Sequence, residues 1–396
     1  MNDQSTHRHE GPVMIRGWCP GAVRPMAASD GLVVRVRPLA GRLSQAQAQS
    51  LALLAQRWAH PLLELTNRAN LQLRRVDPAD HAPLLGALSG LGLVDADASH
   101  EARRNVQVQP FWGDGDPTPD LALRLGAALA RDDAPALPAK FGFAVDTGPE
   151  PCLREAYADI RLERHADGVL ICADGASRGV VVSLADAPAT ALSLAHWFLR
   201  AGGAPAGRGR MAALLERVAL PAAWQAVPVP QGVPPAPLPG RQPNGHLVGL
   251  AFGLLPATAL GALAAGGALR LTPWRSLLVE GDVPLPQLPE LITQADDARL
   301  RVDACTGAPG CEQAAAPTRE LALALAPLVP PGQRLHVSGC TKGCAHPRPA
   351  ATVVATRDGF DLIRHGTAAA APDHIGLERA ALVHQLQQDF SHAAHL

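Results

Sequence analysis

The chain has 396 residues, 47% of them hydrophobic and 18% charged, with a formal net charge of −1. That length holds two to four domains with sizeable cores, and the near-neutral balance excludes bulk attraction to nucleic acid or to an anionic membrane surface. Seven cysteines are odd in number and sparse for a disulfide scaffold. The opening MNDQSTHRHEGPVMIRGW has no apolar core of a secretory signal, so thiols or metal ligands in the cytoplasm are expected.

In chain order, the sequence predicts a strand over GLVVRVRPL (31–39), a helix over LSQAQAQSLALLAQRW (43–58) and strand structure over LELTNRANLQLRRV (63–76). DIRLERHADGVLICADG (159–175) reads as a strand, an Asp-Gly turn and a second strand. PVPQGVPPAPLPGRQP (228–243) is a linker of polyproline character. The first pattern then returns: HLVGLAFGLL (246–255), a helix over 256–266, and LRLTPWRSLLVEG (269–281), with Leu-Thr pairs at 65–66 and 271–272 opening matching strands. ATVVATRDGFDLIRHG (351–366) repeats the hairpin. Order is kept throughout, so a duplicated α+β unit is expected. The stretch Leu247–Leu269 carries no charge and is long enough to span a membrane, but Pro256 and five glycines favour a strand followed by a helix.

Four cysteines fall in one window, as ACTGAPGC (Cys305, Cys311) and SGCTKGC (Cys340, Cys344). Structural zinc favours two to four residues between paired cysteines, so the five-residue arm fits zinc poorly, and the redox pattern Cys-x-x-Cys is absent. Four thiolates on glycine-rich loops suit an iron–sulfur cube. The alternative, four ordinary small core residues, is disfavoured by the flanking Gly307, Gly310, Gly339 and Gly343. Cys19, Cys152 and Cys172 have no partner pattern and read as ordinary small residues.

Cys-x5-Cys followed by Cys-x3-Cys, after a duplicated half-domain, resembles the siroheme-containing sulfite and nitrite reductases. In that superfamily the four cysteines hold a [4Fe-4S] cluster, here Cys305, Cys311, Cys340 and Cys344. GWCPGAVRPM, LTNRANLQLR, LPAKFGFAVDTG, LRLTPWRSLLVEG and VSGCTKGCAHPRPA are more specifically similar to one branch, the precorrin-3B synthase family. The resemblance implies an α+β fold of nitrite/sulfite reductase type: two ferredoxin-like half-domains (13–77 and 244–296) and two α/β lobes (95–227 and 297–396) around a pseudo-twofold, the lobes enclosing a tetrapyrrole, with 228–243 as linker. It implies an oxidoreductase, a monooxygenase that hydroxylates precorrin-3A with dioxygen and closes a γ-lactone in cobalamin biosynthesis. Electrons would come from NADH directly, or through a reductase or ferredoxin. No nucleic acid and no membrane partner is expected.

A polycarboxylate macrocycle needs an apolar slot rimmed by cations, and the arginine fork matches a carboxylate. Family position selects Arg68, Asn70, Gln72, Arg104, Asn105, Lys140, Arg275 and Lys342, with Arg68, Arg104 and Lys140 as the catalytic set. Lys140 and Lys342 are the only lysines against 33 arginines, and both lie in motif segments. Arg161, Arg164, Arg208 and Arg210 read as solvated surface residues. A mononuclear non-haem iron would want imidazole or carboxylate ligands, with His346 the candidate.

Two other functions stay open at this level: a siroheme-dependent sulfite or nitrite reductase, and a non-catalytic iron–sulfur electron carrier. Against the first, the reductase pattern carries a fourth base two residues after Lys140. This chain has Gly142 there, which is expected to leave open space.

Overall fold

The computed structural model describes residues 19–148, 150–230, 232 and 234–393. Gly17 and Trp18 of the N-terminal motif, and residues 13–18 of the expected first half-domain, lie outside the described residues. The chain forms two compact units, one built on Gly31–Thr293 with the segment ending at Ala27, the other on Gln294 onward with Ala28–Asp30.

Within the larger unit the duplication is explicit. The first half runs strand Gly31–Val36, helix Gln45–Trp58, strands Leu62–Leu65 and Leu71–Val76. The second runs Gly245–Leu250, helix Ala257–Gly266, strands Leu269–Leu271 and Ser276–Glu280. The first half forms a five-stranded sheet and the second a six-stranded one, and each sheet takes an end strand from the other half. Leu254–Pro256 pairs with Leu62–Glu64 of the first sheet, and Arg42–Leu43 pairs with Leu269–Arg270 of the second. An Arg42–Glu280–Arg270 ion-pair chain, with contacts of 2.6 and 2.7 Å, fastens the second exchange.

The helix at 45–58 starts where Ser44 and Gln47 form a reciprocal capping box, and Ala48, Leu51, Ala52 and Ala55 bury one stripe. Its partner, ATALGALAAG, is small-residue throughout. A β-carbon at Gly261 would lie 3.8 Å from Ala52 Cβ, so the two helices approach closely. One core runs through both halves. Among the described residues no helix is long and apolar enough to cross a membrane. The uncharged 247–269 stretch is divided between the strand ending at Leu250, the exchanged strand and this helix.

One expectation needs correction. The Leu-Thr pairs do not open strands; they end them. Thr66 and Thr272 lead matching turns, each hydroxyl accepting the backbone N–H two residues on, and Ala69 and Arg275 take φ of 53° and 56° at equivalent places. The hydroxyl replaces a ladder partner where the chain must reverse.

The α/β parts are also copies. Val106–Val108, Phe143–Asp146 and Ile160–His165 are parallel, and the sheet continues antiparallel through Gly168–Ala173, Arg178–Val182 and Val227–Pro228. In the smaller unit, Val302–Ala304, Leu335–Ser338 and Ala350–Thr356 are parallel, then Gly359–Gly366 and His374–Leu377 antiparallel. Both Asp-Gly hairpins are therefore present. Residues 240–242 at the end of the Pro-rich stretch also pair as a strand, with 245–247.

Candidate tetrapyrrole and cluster sites

In the larger unit, guanidinium groups gather around Cys19 and the 139–142 loop. Arg35 and Arg37 alternate along an otherwise apolar run. Arg35 donates to Gln72 Oε1 at 2.9 Å, and Gln72 Nε2 to Glu64 at 2.7 Å. Arg37 is 5% exposed and donates to the carbonyl oxygens of Glu101 and Pro20. Burial, with the Arg35 and Arg104 charges, pushes its pKa down to about 10. The Glu101 carboxylate accepts the N–H groups of Ala22, Val23 and Arg24, which closes the turn after Cys19. Gly21 is required there, because that carboxylate occupies the place of a side chain.

Arg68 sits on the first Thr turn, with its guanidinium 5.5 Å from the Tyr157 ring centroid and one long bond, 3.4 Å, to the Tyr157 carbonyl. Burial and the nearby Arg210 charge both lower its pKa. Lys140 is exposed and makes no hydrogen bond or ion pair among the described residues. Its loop is set by Asn105, whose amide donates to the carbonyls of Ala139 and Phe141 at 2.9 and 3.0 Å. Asn70 is buried, and its side chain has no hydrogen bond among the described residues. Arg275 is half-buried on the second Thr turn, where its carbonyl accepts from Leu250 N–H.

Several expected contacts are used internally. Arg104 is gripped bidentately by Asp95 (2.6 and 2.9 Å) and also donates to the Arg37 carbonyl, so its fork is already filled. Asn105 and Gln72 hold neighbouring elements; they are supports of Lys140 and Arg35. Gly142 opens no space: a β-carbon would lie 3.1 Å from the Tyr157 oxygen, 3.3 Å from that of Asn105 and 3.5 Å from Arg68 Nη1. Arg161 is not a solvated surface residue, and Arg210 is only partly exposed. Arg161 is 7% exposed and bonds Asp174 and the Ala156 carbonyl, and Arg210 pairs with the fully buried Asp159. One cavity, of about 1270 Å³, shares none of these residues. It lies at Asp114, Asp116, Thr147, Arg154 and Arg164, where the Arg154 and Arg164 charges are internally paired.

In the smaller unit, Cys305 follows strand 302–304, and Cys340 and Cys344 follow strand 335–338. The two cysteine loops are joined by Ala315 N–H on the Gly339 carbonyl at 2.9 Å. Gly339 N–H donates to Cys305 Sγ at 3.2 Å, a bond a bulkier residue would break, since its β-carbon would collide with Ala314. Burial raises the Cys340 and Cys344 pKa values, the other cysteines raise them further, and Lys342 opposes the rise. Four sulfurs thus share one electrostatic neighbourhood, and the donor set fits a thiolate-held iron–sulfur group. No three His, Cys, Asp or Glu among the described residues are arranged around a single ion. His346 is engaged by Asp303 at 3.2 Å, which also holds Arg334. Cys152 and Cys172 are inert by environment: burial pushes the Cys152 thiol far up and that of Cys172 to about 12.

Residues 24–91 match the family model of the nitrite/sulfite reductase ferredoxin-like half domain. Over 399 aligned residues the chain is 30% identical to a precorrin-3B synthase of Sinorhizobium sp, covering 91% of this chain and 85% of that one. The chain belongs to the precorrin-3B synthase family. It is thereby an oxidoreductase-type member of the nitrite/sulfite reductase superfamily. Among solved structures it is similar in fold to the Mycobacterium tuberculosis NirA protein, with a TM-score of 0.58 and 18% identity over 91% of this chain and 84% of that one. For this family member, sequence reasoning missed Arg35, Arg37, Asp159 and Arg210. The alternating arginines of VVRVR signal the first two. Nothing in the sequence pairs Asp159 with Arg210, 51 positions away.

Proposed function

We propose that this chain is a precorrin-3B synthase of cobalamin biosynthesis, hydroxylating precorrin-3A at the meso carbon between rings A and D while the ring A acetate closes as a γ-lactone. Family membership over nine-tenths of the chain carries the reading. One atom of dioxygen enters the product and the other leaves as water, with two electrons and two protons supplied. Electrons come from NADH, directly or through a reductase or ferredoxin. Cys305, Cys311, Cys340 and Cys344 would hold a [4Fe-4S] cluster, which supplies one-electron redox chemistry when bound.

The protein groups act by binding and orientation. Arg68 and Lys140 present charge not consumed by internal carboxylates, suited to the substrate's acid side chains. Asn105 fixes the Lys140 loop. Lactone closure is mainly a positioning problem, because the acetate must be held close to the ring carbon.

The test is anaerobic purification, cluster reconstitution, and incubation with precorrin-3A, a reductant and isotope-labelled dioxygen. A product heavier by one labelled oxygen atom supports the reading. Bound siroheme with rapid viologen-driven reduction of sulfite or nitrite overturns it in favour of a reductase. The filled Gly142 site argues against a reductase, since a fourth base would have to displace Arg68 or Tyr157. A cluster-bearing protein that consumes no oxygen with precorrin-3A would be an electron carrier.

A further inference from the structure

We propose that Arg210, positioned by Asp159, is a second carboxylate-binding guanidinium beside Arg68, and that the two take one acid side chain of the polycarboxylate ligand between them. The ligand's identity rests on the function proposed above; its charge class rests on the geometry alone.

Asp159 is fully buried, and two segments, the 142 loop and the start of the helix at 211–215, end on it. It accepts Arg210 Nε at 2.9 and 3.1 Å, Met211 N–H at 2.8 Å and Gly142 N–H at 2.9 Å. The carboxylate therefore fixes both Arg210 and the loop carrying Lys140. Arg210 meets it only through Nε. Both Nη groups carry no hydrogen bond among the described residues, and the side chain is 31% exposed. The free end of the fork is presented to solvent from a rigid base.

Arg68 reaches the same loop. Its Nη1 lies 3.5 Å from where a Gly142 β-carbon would be, and Asp159 holds the Gly142 N–H. Among the described residues its guanidinium makes one hydrogen bond, the long one to the Tyr157 carbonyl. Two guanidinium groups with unfilled donors thus meet one loop, Arg68 at Gly142 directly and Arg210 through Asp159, and Arg210 lowers the Arg68 pKa. Such repulsion in a half-buried site is costly, and Asp159 offsets only one of the two charges. A carboxylate between them supplies the missing charge and fills both forks. A partner needed only to neutralise Asp159 could be a lysine and would need no projecting fork.

The test uses the full-length, cluster-loaded protein and two probes, uroporphyrin with its eight carboxylates and the corresponding octamethyl ester, with tryptophan quenching as readout. Arg210→Ala is expected to weaken uroporphyrin binding by about 10- to 100-fold, as for a lost hydrogen bond to a charged group, and to leave ester binding unchanged. Arg210→Lys keeps the pairing with Asp159 but lacks the fork, so it should show an intermediate loss; it also serves if the alanine variant does not fold. Arg68→Ala with Arg210→Ala should cost less than the sum of the two, because they share one carboxylate. Wild-type affinity in Arg210→Lys overturns the proposal, as does equal loss of acid and ester. Arg210-dependent uroporphyrin binding without product from precorrin-3A would overturn the function and leave this inference standing. Normal turnover in Arg210→Ala with an unchanged KM would overturn this inference alone.

Discussion

Asp146→Asn should stabilise the larger unit, and more so at pH 7 than at pH 5. Asp146 ends strand 143–146, is 1% exposed, and accepts the N–H groups of Cys152 and Leu153 at 2.8 and 2.7 Å. Burial, with a further push from its cross-strand neighbour Glu163, raises its pKa from 3.8 to about 6. A carboxyl whose pKa is raised on folding binds its proton more tightly in the folded state, so the native state loses stability as pH rises past the unfolded value. Linkage makes the cost negligible near pH 3, about 2 kcal/mol at pH 5 and about 3 kcal/mol at pH 7. Asparagine removes the charge and keeps an acceptor for both N–H groups. The second lobe already carries a neutral residue at the equivalent place: Phe143 pairs with Val106 as Leu335 pairs with Val302, which sets Asp146 against Ser338. The assay is urea unfolding followed by tryptophan fluorescence. All six tryptophans precede residue 294, so the signal reports the larger unit. The variant's advantage should grow by about 1 kcal/mol between pH 5 and pH 7. A difference that is flat or shrinks with pH would refute the reasoning.

Arg104→Ala should cost about 3 to 5 kcal/mol of stability in the same unfolding assay, because it leaves Asp95 largely buried without its partner. Gly142→Ala should lower the unfolding midpoint by an amount equivalent to about 1–3 kcal/mol, as overpacking against the Tyr157 carbonyl and Arg68. Cys311→Ala should lose most iron and acid-labile sulfide after reconstitution, whereas Cys152→Ala should retain both, by elemental analysis; full iron in the Cys311 variant removes it from the ligand set.

The duplication was legible because it is a matter of order: apolar strands, a capped helix and a hairpin recur in one sequence. The cysteine spacing was equally local, since a few residues of loop determine which thiols can face one another. The anion site was legible only in part. Arg68 and Lys140 stand in recognisable segments and keep free charge in the structure, whereas Arg104 stands in an equally recognisable segment and is filled by Asp95.

The sequence alone determined the repeated α+β pattern, the four-cysteine window and the family, because each lies in the kind and order of nearby residues. Tertiary structure alone decided that each half lends a strand to the other's sheet, that Gly142 is packed against Arg68 and Tyr157, and that Asp159 holds Arg210 and the Lys140 loop together. Whether a charged side chain is free or spent depends on which partners folding brings within about 3 Å of it. Those partners stand nine positions away for Arg104, 51 for Arg210 and 238 for Arg42, with no pattern of residue types to mark them, so composition and spacing carry no record of them.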